Sequence, residues 1–182
     1  MERLDPQTTL LLVVDVQEKL AAAMPPDALE RVVKNTTILL ETAKVLGMSV
    51  LASEQYTKGL GPTVAPLRER LPSPALEKMT FDAASDLAIA RALSDRAPRA
   101  VVVAGMESHV CVFQTARELV RRGYVTHVVG DAVCSRREEN RVLGLSLCDR
   151  AGAVVTGTET VAFDLLRVAG TDAFKAISKL IR

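Results

Sequence analysis

The chain has 182 residues, of which 48% are apolar, 25% are charged and 3% are aromatic. This length corresponds to about one domain, and 23 basic against 22 acidic residues argue against a protein that binds nucleic acid chiefly through charge. With four Phe, two Tyr and no Trp, the chain also offers few rings on which bases could stack. We therefore expect one domain spanning residues 1–182 and no nucleic-acid partner.

Short apolar, β-branched runs alternate with segments of helical spacing along the whole chain. The apolar runs predict strands covered on both faces, at residues 10–14, 48–52, 100–104, 125–129 and 153–156, with a weaker sixth at 75–78. The segments between them predict helices at residues 27–46, 83–96, 108–122, 137–150, 159–168 and 171–181. This alternation predicts a single-domain, three-layer α/β/α fold with a mostly parallel six-stranded sheet of Rossmann-like type.

The compartment is indicated by two features of the sequence. The longest apolar run near the N-terminus, residues 10–14, is too short for a secretory signal or a membrane span. Three cysteines cannot all pair within one chain, so no disulfide framework is indicated. We therefore expect a cytoplasmic protein that does not associate with membranes.

Three chemically distinctive side chains follow predicted strands. Asp15 comes directly after the first strand, Lys78 ends the weak strand, and Cys111 stands near the start of the helix after residues 100–104. Ligands of open parallel sheets bind beyond the carboxyl ends of the strands, so these three side chains are expected to meet there. A helix N-terminus and a nearby Lys favour a thiolate at Cys111, while Asp15 could accept and return a proton.

Each of these side chains also has an ordinary structural interpretation. Cys111 could be a small core residue, Asp15 a helix cap, and Lys78 a solvated surface charge. A redox-sensing thiol is a further interpretation, for which Cys134 is the candidate resolving partner. Asp131, at another predicted strand end, is interpreted as a cap or loop anchor.

Other catalytic motifs are missing from the sequence. There is no HExxH, no paired CxxC and no histidine cluster, so no zinc site is indicated. There is no Walker A sequence, and Gly144-Leu145-Ser146-Leu147-Cys148 lacks the second glycine of a hydrolase elbow. The sequence therefore contains no motif that would indicate a nucleotide-binding or serine hydrolase function.

The motifs LLVVDVQ around Asp15, EKMTFDA around Lys78 and GMESHVCVFQTARELVRRGYVTHVVGDAVCSR around Cys111 together resemble the isochorismatase-like cysteine hydrolase family. The resemblance spans nearly the whole chain and implies an Asp15, Lys78, Cys111 triad that hydrolyses amide-type bonds through a thioester. It also implies a cis peptide bond between Met106 and Glu107. The backbone N–H groups of Glu107 and Cys111 would then form the oxyanion hole.

The substrate pocket is expected to involve side chains within or beside the same motifs, namely Gln17, Glu54, Tyr56, Phe81 and His109. The nicotinamidase-like branch of the family carries metal-binding Asp and His residues after the second strand, whereas ASEQYTKGLGPT has neither. We therefore expect a hydrolase without metal or cofactor that acts on a small amide, carbamoyl or related C–N compound. The resemblance also implies a homo-oligomer, and a catalytically silent ligand-binding relative remains the alternative.

Overall fold

A computed structural model describes residues 3–181, so the ends of the domain expected over residues 1–182 lie outside the described residues. The strands are β1 (Thr9–Val14), β2 (Ser49–Gln55), β3 (Leu76–Lys78), β4 (Ala100–Met106), β5 (Val125–Cys134) and β6 (Val154–Thr156). The helices are α1 (Glu18–Ala21), α2 (Pro26–Leu46), α3 (Thr57–Leu60), α4 (Ala65–Arg68), α5 (Leu87–Arg96), α6 (Phe113–Arg121), α7 (Glu138–Arg150), α8 (Thr158–Leu166) and α9 (Asp172–Ile181). A π-helical turn, Ser108–Val112, precedes α6. None of the helices within residues 3–181 has the length and apolar character needed to cross a membrane.

The six strands form one parallel sheet in the order β3-β2-β1-β4-β5-β6. The chain builds the sheet outwards from β1 to β3 and then returns to the other side of β1 with β4. The strand order therefore reverses between β1 and β4, and in such sheets the crevice at this switch point is where ligands bind. The predicted α/β fold with a parallel six-stranded sheet is confirmed.

Apolar side chains cover both faces of the sheet, as the continuous apolar runs predicted. Within β1, Leu11 and Val13 pack in one core with α2 and α8, whereas Leu10, Leu12 and Val14 pack in the other with α5, α6 and α7. Every β1 side chain is buried, so each face of this strand is covered by one of the two cores. The result is the predicted three-layer arrangement, with β1 at its centre.

The structure differs from the predicted elements mainly around the strand ends. β2 continues to Gln55 and β5 to Cys134, so polar residues that we expected in loops belong to strands. α5 begins at Leu87 instead of residue 83, because the Asp86 carboxylate accepts hydrogen bonds from the N–H groups of Ala88 and Ile89 and caps the helix. The sequence pattern missed these ends because hydrophobic periodicity stops where polar strand ends begin.

Candidate active site

The carboxyl ends of four neighbouring strands bring the predicted triad together. Asp15 follows β1, Lys78 ends β3, and Cys111 lies in the π-helical turn after β4. β2 lies between β3 and β1 and contributes Ser53 and Gln55. The site is therefore at the switch point of the sheet, where the sequence placed it.

Lys78 is a buried cation with a full set of hydrogen-bond acceptors. The residue is 1% exposed, and its Nζ lies 2.6 Å from Asp15 Oδ2 and 2.8 Å from Gln55 Oε1. It also donates to the carbonyl oxygens of Thr80 at 3.0 Å and Phe81 at 3.3 Å. A buried ammonium is tolerated only with such partners, so Lys78 is an internal charge and not the solvated lysine of the ordinary interpretation.

The Asp15 carboxylate is held from two sides. Its Oδ2 accepts from Lys78, and its Oδ1 accepts from the hydroxyl of Ser53 at 2.7 Å. The backbone of Asp15 has a φ of 51°, a left-handed conformation that Asp tolerates better than most residues. Asp15 therefore turns directly off the end of β1 with its carboxylate oriented by a cation and a hydroxyl.

Cys111 is a neutral thiol and not the thiolate that we expected. Its pKa is raised from 9.0 to about 12, chiefly by burial and also by the charge of Asp15 and a hydrogen bond to that carboxylate, while Lys78 opposes these effects. The expectation of an ionised sulfur is wrong because desolvation and the adjacent carboxylate outweigh the ammonium. A thiol beside a carboxylate is an arrangement in which a base takes the proton as the sulfur attacks.

The backbone before the thiol adopts an unusual path. The peptide bond between Met106 and Glu107 is cis, at the position that the resemblance implies. The Glu107 carboxylate accepts from the backbone N–H and the Nε of Arg136, which follows β5. Whether the N–H groups of Glu107 and Cys111 serve as the oxyanion hole stays a prediction.

A glycine in α7 allows this turn to pack directly against a helix. A Cβ added at Gly144 would lie 2.5 Å from the carbonyl carbon of Ser108 and 2.6 Å from the backbone nitrogen of His109. Both atoms are backbone, so they cannot give way as a flexible side chain would. Gly144 therefore helps to fix the path of the turn that carries Cys111.

We expect Gly144→Ala to lower thermal stability and to slow the alkylation of Cys111 by iodoacetamide, because the turn must move to admit the methyl group. Overpacking of this kind costs about 1–3 kcal/mol, more than the helix propensity that alanine gains over glycine. Gly130→Ala is the matched control, since its nearest neighbour is 3.4 Å away. Peptide mapping by mass spectrometry and thermal melts provide the readouts. A Gly144→Ala protein with a higher melting temperature and an unchanged alkylation rate would contradict this account.

Two of the expected pocket residues anchor loops instead. Gln17 is fully buried, and its amide donates to the carbonyl oxygens of Gln55 and Gly61 and accepts from the Gln55 N–H. Glu54 accepts from the N–H and hydroxyl of Thr63 and faces a cavity away from Lys78. Gln17 is thus engaged within the fold through both atoms of its amide. Glu54 lines a cavity and binds Thr63 through Oε1, so its contact with substrate stays a prediction.

The other three expected pocket residues lie around the site with different exposures. Tyr56 is 47% exposed and lines a cavity together with Lys78 and Thr80. Phe81 is 55% exposed, and its carbonyl oxygen accepts from Lys78. His109 is partly buried, with Nδ1 3.1 Å from the hydroxyl of Ser135. Contact of these three side chains with substrate stays a prediction.

Ser53 and Gln55 are site residues to which the sequence pattern assigned no role, although Ser53 directly follows the predicted strand at residues 48–52. They alternate with Glu54 along β2, so their side chains project from the opposite face of the strand to that of Glu54. The parallel register pairs Ser53 with Val14 and Gln55 with Lys78, which brings both next to the Asp15 and Lys78 pair. The available signal was this alternation of polar residues, which becomes visible only once β2 is extended to residue 55.

Among residues 3–181, no group of three or more His, Cys, Asp or Glu side chains is placed to hold a metal ion. Asp131 serves as an anchor, since its carboxylate accepts from the N–H and hydroxyl of Thr158 at the start of α8. The other two thiols, Cys134 and Cys148, are buried in the cores. Their pKa values are likewise raised to about 12, in both cases chiefly by burial.

The raised pKa of Cys148 predicts a pH-dependent contribution to stability. Between pH 9 and about 12 the folded protein keeps a proton that the unfolded chain releases, so the free energy of unfolding falls as pH rises. The contribution is fully present below pH 9, and its slope is at most about 1.4 kcal/mol per pH unit. The difference in unfolding free energy between the natural protein and Cys148→Ala should therefore shrink between urea titrations at pH 8 and pH 10.5. A difference that stays constant would contradict the shift.

Comparison with known proteins gives consistent matches along the chain. A family model described as the isochorismatase domain matches residues 9–160. The secreted isochorismatase effector Isc1 of Phytophthora sojae (strain P6497) is 36% identical over 186 residues, which cover 99% of this chain and 87% of that protein.

Two solved structures share the fold. MAR1 ribonuclease from Caenorhabditis elegans has a TM-score of 0.91 at 33% identity, covering 99% of this chain and 92% of that one. YcaC from Escherichia coli, described as an octameric hydrolase of unknown specificity, has a TM-score of 0.90 at 24% identity, covering 98% and 89%. The second likeness concerns the fold alone.

Proposed function

The chain belongs to the isochorismatase family, and on that premise we propose that it is a cysteine hydrolase that cleaves a small amide, carbamoyl or related C–N compound without a metal. The observation that carries the proposal is the buried Asp15–Lys78 ion pair at 2.6 Å, with the Cys111 thiol beside the carboxylate. A nucleophile and a base positioned by a third group is the arrangement that covalent hydrolysis requires.

The proposed reaction begins with attack of the Cys111 sulfur on the substrate carbonyl carbon while the thiol proton passes to Asp15. The carbonyl electron pair moves to oxygen, which accepts hydrogen bonds from the backbone N–H groups of Glu107 and Cys111. Collapse of this intermediate breaks the C–N bond, and Asp15 returns its proton to the departing amine. Water then attacks the thioester with Asp15 as base, which releases the acid and restores the thiol.

The electrostatics of the site support this proton transfer. The negative charge of Asp15 is one reason that the thiol is hard to ionise. When the proton moves to Asp15, that charge disappears, and the Lys78 ammonium then faces a thiolate instead of a carboxylate. The site thus keeps the same net charge throughout, which avoids the cost of burying an unpaired ion.

A substrate screen tests this proposal. Small amides, carbamoyl compounds and a short RNA oligonucleotide are offered to the natural protein and to Cys111→Ala in parallel, with ammonia release and chromatography as readouts. The proposal predicts hydrolysis of an amide-type compound by the natural protein and none by Cys111→Ala. Equal hydrolysis by both proteins, or hydrolysis of RNA alone, would contradict it.

Hydrolysis of the vinyl ether of isochorismate is a second candidate, favoured by the name of the Phytophthora relative and by a carboxyl group placed to transfer protons. Cleavage of a vinyl ether needs an acid and water but no sulfur nucleophile. Activity on isochorismate that survives in Cys111→Ala and is lost in Asp15→Asn would favour this candidate. A silent relative, the remaining alternative, would bind compounds from the screen without turning any over.

We also propose that the protein is a homo-oligomer. The octameric state described for E. coli YcaC supports this, as do large apolar side chains exposed on the surface near the site and on α7, which are Met79, Phe81, Leu87, Val142 and Leu143. Light scattering coupled to size-exclusion chromatography should give a multiple of 19.6 kDa. A monomer at micromolar concentration would contradict the proposal.

A further inference from the structure

We infer that Gln55 is a positioning residue whose side-chain oxygen fixes the Lys78 ammonium against Asp15. Its Oε1 accepts from Lys78 Nζ at 2.8 Å, while its Nε2 donates to the carbonyl oxygen of Met79 at 2.8 Å. The inference rests on the proposed function for its catalytic meaning. The contacts themselves involve no substrate.

The amide of Gln55 has its orientation set by both partners. Lys78 offers only donors and the Met79 carbonyl offers only acceptors, so oxygen must face Nζ and nitrogen must face Met79. The same side chain therefore holds the ammonium and the backbone segment that follows it. Thr80 and Phe81, in that segment, supply two further acceptors for Nζ.

The backbone of Gln55 is fixed in turn by Gln17. The Gln17 amide accepts from the Gln55 N–H at 2.7 Å and donates to the Gln55 carbonyl at 3.0 Å, as a neighbouring strand would. It also donates to the carbonyl of Gly61 at 2.7 Å. The Gln17 side chain thus takes the place of a backbone partner at the end of β2. It holds Gln55 in register with Lys78 on the neighbouring strand β3.

This chain of contacts has a consequence for the reaction. Lys78 has three protons and four acceptors, and the Phe81 carbonyl is the most distant of them at 3.3 Å. Without Gln55 one proton is left with only that long contact, so the ammonium is held less firmly beside Oδ2 of Asp15. The titratable groups around Lys78 are Asp15 from β1 and Cys111 from the π-helical turn, with Glu77 and Asp86 lining the cavity that Lys78 shares. Glu77 is exposed and Asp86 is partly buried, and the same cavity is also lined by Lys58 and Tyr56.

The test follows the Lys78 ammonium directly. In ¹⁵N-lysine-labelled protein, an ammonium held in buried hydrogen bonds exchanges its protons slowly enough to give a cross-peak at pH 7, and Lys78→Met assigns that peak by its absence. We expect Gln55→Met to reduce the intensity at least about threefold, because an acceptor worth about one net hydrogen bond is lost. Gln55→Glu loses the donor to Met79 but keeps an oxygen facing Nζ, now with a negative charge that attracts the ammonium, so it should retain the peak.

Thr42→Val is the control, since Thr42 is buried in α2 with no hydrogen-bond partner for its hydroxyl. It should leave the Lys78 peak unchanged. If Gln55→Met does not fold, Gln55→Asn is used instead, because its side chain is one methylene shorter and moves the amide oxygen away from Lys78 Nζ. A peak that keeps its intensity in Gln55→Met, or in Gln55→Asn where that variant replaces it, would overturn the inference.

A kinetic arm connects this result to the reaction. With the amide that the natural protein hydrolyses best, Gln55→Met should lower kcat about tenfold with little change in KM. On a logarithmic scale, the kcat of Gln55→Glu should lie closer to that of the natural protein than to that of Gln55→Met. A natural protein that hydrolyses no amide would count against the proposed function alone, because the ammonium peak still decides the role of Gln55. A KM effect without a kcat effect would overturn the positioning role.

Discussion

Asp15→Asn is expected to lower amide turnover by about 10²–10⁴-fold while making Cys111 more reactive towards iodoacetamide at pH 7.5. Turnover falls because an amide cannot take the thiol proton or return it to the leaving amine. Alkylation rises because the carboxylate charge and hydrogen bond that help to raise the pKa of Cys111 are removed, while Lys78 remains. The two measurements are steady-state hydrolysis and mass-spectrometric peptide mapping.

Asp131→Asn is the matched control for this prediction. Asp131 is also a carboxylate near the carboxyl edge of the sheet, but it binds Thr158 at the start of α8. It should change neither turnover nor alkylation by more than about twofold, once circular dichroism has shown that both variants are folded. A parallel fall of turnover and alkylation in Asp15→Asn would contradict the role of Asp15 as proton carrier.

Lys78→Met is expected to cause the largest loss of stability. Removing one member of a buried ion pair leaves the other charge without a partner, which costs about 3–5 kcal/mol. For a chain of this size, such a loss lowers the melting temperature on the order of 10 °C. The pair lies at 2.6 Å with both side chains fully buried, so solvent cannot compensate Asp15.

The double variant Asp15→Asn, Lys78→Met isolates the ion pair. It removes both charges at once, so its loss of stability should be clearly smaller than the sum of the two single losses. Urea denaturation of the four proteins gives the coupling free energy. Strictly additive losses would show that the two side chains contribute independently and would contradict the electrostatic account.

The sequence predicted much of this architecture because strands covered on both faces leave a clear signal. Continuous apolar runs such as residues 10–14 placed the strands, and the rule for parallel sheets then placed Asp15, Lys78 and Cys111 at one edge. The sequence pattern was sufficient to place these three residues, because each of them lies at or just after the end of a strand.

The ionisation state and the supporting contacts could not be predicted in this way. The state of Cys111 depends on how deeply the π-helical turn is buried and on the distance to Asp15, both of which are set by packing against α7. Gln17 and Gln55 carry polar side chains that suit a pocket as well as a loop anchor. Only the register between β2 and β3 and the short contacts distinguish these two roles.

The central claim is that the Cys111 sulfur forms a covalent bond to the acyl group of the substrate, and trapping that species tests it most directly. The protein is mixed with its best amide substrate, quenched in acid within the first turnover, and analysed by intact-protein and peptide mass spectrometry. The account predicts the mass of the acyl group on the peptide that contains Cys111, its removal by hydroxylamine, and its absence from Cys111→Ala. Full hydrolytic activity in Cys111→Ala with no acyl adduct on the natural protein would contradict it.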